Sequence, residues 1–130
     1  MMVRGVRGAT SICEDGQQHV LEETSELVKE MAERNGLDPE DIVSVLISTT
    51  TDISSAFPAK SVRSMPGWEY VPVMCTHEMD VPGALPLCIR VLLHANTEKS
   101  QKEIQHIYRN EAVRLRPDLA SRNLKGEGAK

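Results

Sequence analysis

Val20, Leu21, Thr24, Leu27, Val28, Met31 and Ala32 recur at helical spacing, while Glu22, Glu23, Glu26, Glu30 and Glu33 take mainly the other side of the same turns. A stripe of this kind has to be buried against another layer, and the segments around it have the character of strands. Val3 to Thr10 alternates small and β-branched residues with arginine, and Ile42 to Thr50 is rich in Val, Ile, Ser and Thr. Tyr70 to Thr76, Leu87 to Ala95 and Ile107 to Leu115 read as three more strands. Asp15 stands where it could cap the long helix, and Asn35-Gly36 is a natural stop. A capped turn at Asp38-Pro39-Glu40-Asp41, a short helix between Ala56 and Ser64, and a Ser100/Glu103 capping box complete the pattern. The expected class is α+β, a mixed sheet with helices packed on one side.

With 130 residues and no Gly/Ser/Pro-rich divider, the chain reads as one domain over residues 1–120, followed by a flexible tail at 121–130. One Trp, one Phe and two Tyr leave aliphatic side chains to fill the core, and burial between copies of the chain would help so small a domain. The net charge of −4 is unevenly spread. Residues 14–41 hold ten acids against Lys29 and Arg34, a local charge of −8, so the rest sums to +4. Cations outside that segment can therefore line an anion site in an acidic protein. No basic block with interleaved aromatics points to nucleic acid. The opening residues lack the apolar core of a signal peptide, no apolar run reaches the length that spans a bilayer, and Cys13, Cys75 and Cys88 do not form a disulfide framework. The expectation is a soluble, cytoplasmic protein with free thiols.

The usual catalytic constellations are weak. No glycine-rich phosphate loop opens a helix, and Cys75-Thr76-His77-Glu78 matches no zinc spacing, so no metal and no cofactor are expected. Arg90 stands out because it interrupts the apolar run Leu87-Cys88-Ile89-Arg90-Val91-Leu92-Leu93. An unpaired buried guanidinium is expensive, so Arg90 either snorkels at a sheet edge or faces a cleft where an anion completes it. Arg7 poses the same question in the first strand. Tyr108 brings a hydroxyl to the last, and Glu78 could form a salt bridge or orient a polar ligand.

Several segments together carry a family resemblance. They are Val3-Arg4-Gly5-Val6-Arg7-Gly8-Ala9-Thr10, Phe57-Pro58-Ala59-Lys60-Ser61-Val62-Arg63, Gly67-Trp68-Glu69-Tyr70-Val71-Pro72-Val73, Glu78-Met79-Asp80-Val81, Cys88-Ile89-Arg90-Val91 and Leu115-Arg116-Pro117-Asp118-Leu119. In this order the chain resembles the small trimeric chorismate mutases of the Bacillus type, over about residues 3–120. The resemblance implies three subunits forming a barrel-like core, with sites in the clefts between them. The implied substrate is chorismate and the product prephenate, by an intramolecular pericyclic rearrangement that needs neither nucleophile nor proton transfer. Arg90 would stabilise charge on the ether oxygen, Arg7 would hold a carboxylate, Tyr108 would pack and hydrogen-bond beside it, and Glu78 with Cys75 would contact the ring. Phe57, Ala59, Lys60, Arg63, Leu115 and Arg116 would form the wall and mouth, with Met74, Thr76 and His77 in the adjoining strand. Met74 stands where a threonine is common, and Pro82, Ala84 and Pro86 depart from a loop often richer in glycine. Two other readings share these residues: a non-catalytic trimer that binds a metabolite carboxylate, and a trimeric imine deaminase. Retention of Arg90, Glu78 and Tyr108 together favours the mutase.

Overall fold

The computed structural model describes residues 1–115. In chain order the elements are β1 (Met2–Ser11), α1 (Gln17–Arg34), β2 (Ile42–Thr49), α2 (Ala59–Arg63), β3 (Val73–His77), β4 (Cys88–Thr97) and β5 (Ile107–Tyr108). Short 3₁₀ turns occupy Pro39–Asp41, Gln101–Glu103 and Asn110–Leu115. The five strands form one mixed sheet in the order β3-β2-β4-β1-β5. β4 runs antiparallel to β1 and β2 on either side of it, while the outer pairs β2/β3 and β1/β5 are parallel.

Alternation along the strands sends one set of side chains to the helices and the other to the opposite face. Val6, Val45, Ile47, Ile89, Val91 and Leu93 are buried with Val20, Leu27, Val28 and Met31 of α1 in one hydrophobic cluster. Each such side chain stabilises the fold by about 1.5–3 kcal/mol. The close approach of α1 depends on Gly8, where a Cβ would stand 2.4 Å from Met31 Sδ. The other face, which carries Arg7, Leu46, Ser48, Arg90, Leu92 and His94, has no helix against it among the described residues.

The expected strands and helices are present with three corrections. Asp15 does not cap α1; Gly16 takes the N-cap position without a side-chain bond, and Asp15 accepts hydrogen bonds from the Ser54 and Ser55 amides instead. β3 starts at Val73, because Trp68 to Val71 forms a turn that leaves Tyr70 fully exposed. The last strand is two residues long: Asn110 adopts φ 54°, a left-handed conformation that ends the ladder and starts the 3₁₀ turn. On the side of α1 that carries the acids, Glu23, Glu26 and Glu30 hold Arg109 and Asn110. The expected tail at 121–130 lies outside the described residues.

Candidate active site

Arg90 is the third residue of β4, the central strand of the sheet, with Ala9 of β1 and Ser48 of β2 directly beside it in the ladder. Both neighbours are short, so the long side chain can lie across the helix-free face. Glu78, just beyond β3, is fixed at both ends. Its backbone N–H donates to Thr49 O at 2.7 Å, and its Oε2 accepts from Ser48 Oγ at 3.0 Å. The same Oε2 lies 3.4 Å from Arg90 Nε. That contact is an ion pair without hydrogen-bond alignment, for Nε is sealed from solvent and has no hydrogen-bond partner among the described residues.

Tyr108 is brought to the same place by β5, which pairs with β1 so that Tyr108 stands opposite Ala9. Its hydroxyl is likewise buried without a partner among the described residues. The residues behind it explain its position. Arg109 reaches Glu26 and Glu30 of α1 at 3.4 and 3.5 Å, and Asn110 Nδ2 donates to Thr10 Oγ1, Ser11 O and Glu23 Oε1. The turn that follows carries Leu115 back to the sheet. Arg7, Glu78, Arg90, Tyr108 and Leu115 thus line one concavity of about 400 Å³. Two buried donors left unmade there cost about 1–3 kcal/mol each unless a ligand accepts from them.

The remaining expected residues divide differently. Cys75 and His77 alternate to the helix side of β3, where Cys75 Sγ accepts from the Ala59 N–H at 3.3 Å and His77 Nε2 lies 3.3 Å from Ile53 O. With Phe57, Lys60 and Thr76 they line a second concavity of about 560 Å³. Thr76 borders both hollows. Met74 projects from the edge strand, largely exposed, while Ala59 is buried and Arg63 is exposed on α2; none of these three lines either hollow. Arg116 lies outside the described residues. Beside Arg90, burial pushes the Cys88 thiol up, and the Arg90 charge partly offsets this. It remains a neutral neighbour of the guanidinium, unsuited to attack.

The sequence and the fold have counterparts in known proteins. The family model for chorismate mutase type I matches residues 3–119. The chain belongs to the type I chorismate mutase family. It is 47% identical over 120 residues to chorismate mutase AroH of Bacillus subtilis, covering 92% of this chain and 94% of that protein. It is 45% identical over 121 residues to chorismate mutase AroH of Thermus thermophilus, covering 92% and 98%. A chorismate mutase structure from Clostridium thermocellum superimposes with a TM-score of 0.82 at 46% identity, covering 84% of this chain and 96% of that one.

Within this mutase fold, several supporting residues escaped the sequence reading. Ser48 looks like any strand serine until the register places it beside Arg90. Thr50 and Asp52 look like turn residues, yet Thr50 Oγ1 accepts from the Cys88 N–H at 3.0 Å and Asp52 Oδ2 from the Leu87 N–H at 2.9 Å. They fix the entry to β4 two residues before Arg90, where Leu87 has a strained φ of 49°. A Thr-x-Asp pair before a loop is the one sequence signal that could have marked them.

Proposed function

We propose that this chorismate mutase rearranges chorismate to prephenate in sites completed by two copies of the chain, arranged as a cyclic trimer. The observation that carries the chemistry is a pair of buried donors, Arg90 Nε and the Tyr108 hydroxyl, that lack partners among the described residues and face one hollow with Arg7 and Glu78. A pericyclic step moves electrons within the substrate and needs no proton relay. What accelerates it is confinement of a compact conformer and stabilisation of the negative charge that grows on the ether oxygen as the C–O bond breaks. Arg90 supplies that stabilisation, held by Glu78 and Ser48 so that little reorganises during the reaction. Arg7 binds a carboxylate, Tyr108 donates a hydrogen bond beside it, and Glu78 accepts from the ring hydroxyl.

The division of residues between the two hollows supports a shared site. Arg90 lies on the helix-free face and Phe57, Lys60 and Cys75 line the other hollow, so a second copy can bring its own set of the latter to the Arg90 side. Heterologous contacts of this kind close into a ring, and three copies are the number the family resemblance implies. Leu46 and Met74 on the helix-free face and Phe57 at the other hollow are large exposed apolar side chains that such contacts would cover. The three free cysteines fit a reducing, cytoplasmic setting. No helix among the described residues is long and apolar enough to cross a membrane.

The test is disappearance of chorismate with formation of prephenate, measured for the wild type beside Arg90→Ala. Conversion by the wild type, reduced by a factor of about 10²–10³ or more in a folded variant, is expected. Binding of chorismate without turnover by the wild type would contradict the mechanism.

A further inference from the structure

Where β1 gives way to α1, Cys13, Glu14 and His19, none of which lines either hollow that carries the mutase residues, bring three different metal-ligand atoms within 4.8 Å of one another. Among the described residues no other such group occurs. We propose that these three side chains form a site for a soft divalent cation, zinc above all. His19 Nε2 lies 3.3 Å from Glu14 Oε1 and 3.9 Å from Cys13 Sγ. Ligand atoms around tetrahedral zinc stand roughly 3.3–3.6 Å apart, from bonds of about 2.3 Å to sulfur and 2.0–2.2 Å to nitrogen or oxygen. The nitrogen–oxygen distance already fits. The sulfur–nitrogen distance is a few tenths of an ångström longer, a change that the exposed Cys13 side chain makes by a small χ rotation.

Three further observations support a cation here. Gly16 leaves space for the imidazole: a Cβ at that position would stand 3.2 Å from His19 Cδ2, so a larger residue would push the ring away. Gly16 has φ −137°, which any residue adopts, so it is the ring and not the backbone that the missing side chain accommodates. Cys13 and His19, though not Glu14, also line one hollow of about 380 Å³ with Glu23 and Glu111, which leaves room beside the sulfur and the ring for a water as fourth ligand. Finally, residues 14–41 carry a net charge of −8, which raises the local concentration of cations. Thiolate and imidazole together select zinc over magnesium or calcium, and binding would release the Cys13 proton.

Cobalt(II) is the probe, added to reduced, metal-stripped full-length protein. A sulfur-to-cobalt charge-transfer band saturating at one ion per chain, and lost on addition of zinc, is expected. Cys13→Ser should lack the band, His19→Ala should bind cobalt at least about tenfold more weakly, and Gly16→Ala should weaken it too. Zinc should raise the melting temperature of the wild type and not of Cys13→Ser. Chorismate turnover should be unchanged in Cys13→Ser and His19→Ala, whose metal-free melting temperatures report folding. No band in the wild type, or a band that persists in Cys13→Ser and so belongs to Cys75 or Cys88, would overturn the site.

Discussion

A guanidinium on a central strand is tolerated only where something accepts its hydrogen bonds, and the protein supplies just part of that need. Glu78 approaches Arg90 Nε without aligning to it, so the group is positioned but not satisfied. The arrangement suits charge that develops only in the transition state. Lysine at position 90 would keep the charge and lose the planar fork with which, in the proposed mechanism, Arg90 reaches an ether oxygen and a carboxylate together. Arg90→Lys should therefore lower kcat by about two to three powers of ten with the fold unchanged. Near-normal kcat in the lysine variant, measured by chorismate loss, would show that charge alone suffices. The sequence singled out Arg90 because it broke an apolar run, but Ser48, whose hydroxyl holds Glu78, carried no such mark. Its role comes from cross-strand register, which only the folded sheet reveals.

At the scale of elements, the short β5 and the turn behind it place Tyr108 and Leu115. Asn110 is the pivot, left-handed at φ 54° and bonded through one amide to β1 and α1. Asn110→Ala would place a residue that disfavours this conformation there and remove those bonds, for a loss of about 1–3 kcal/mol. Thermal denaturation should show it, together with a rise in KM; unchanged stability and KM would mean that the segment is held by Arg109 alone. Periodicity extended this strand to Leu115 because it registers alternation and not the sign of φ. It placed β1, β2, β4 and α1 well because their burial is regular.

A second junction is Asp15, which ties the β1–α1 turn to the loop leading to Phe57. The Ser55 hydroxyl first, then the Ser54 amide, hold its carboxyl below the usual range. A carboxyl depressed in the folded state contributes stability above its unfolded value, about 3.9, and loses it as pH falls through the lower folded value. The loop anchor should hold near neutrality and weaken only below about pH 4. Amide exchange at Ser54 and Ser55 is the direct measure. It should accelerate in Asp15→Asn already at neutral pH, and equal rates in variant and wild type would remove the anchor.

For the whole molecule, the decisive feature is that residues expected in one site lie in two hollows of the same chain. Sequence resemblance assigned Phe57, Lys60, Cys75, Arg7, Glu78 and Arg90 to sites in clefts between subunits, without saying which of them share a face of one chain. Alternation along β3 separates them: Cys75 and His77 turn to the helices, while Thr76 turns toward Arg90. A site built from both hollows makes each subunit a donor to two neighbours, which a subunit-mixing measurement can read directly. Arg90→Ala damages one hollow and Lys60→Glu the other, so each homotrimer alone should be nearly inactive. Dissociated and reassembled together in equal amounts, they should form interfaces with both hollows intact in about a quarter of cases and recover about a quarter of wild-type chorismate turnover. No recovery, with mixed trimers demonstrated by mass, would contradict the shared site and return the whole reaction to a single chain.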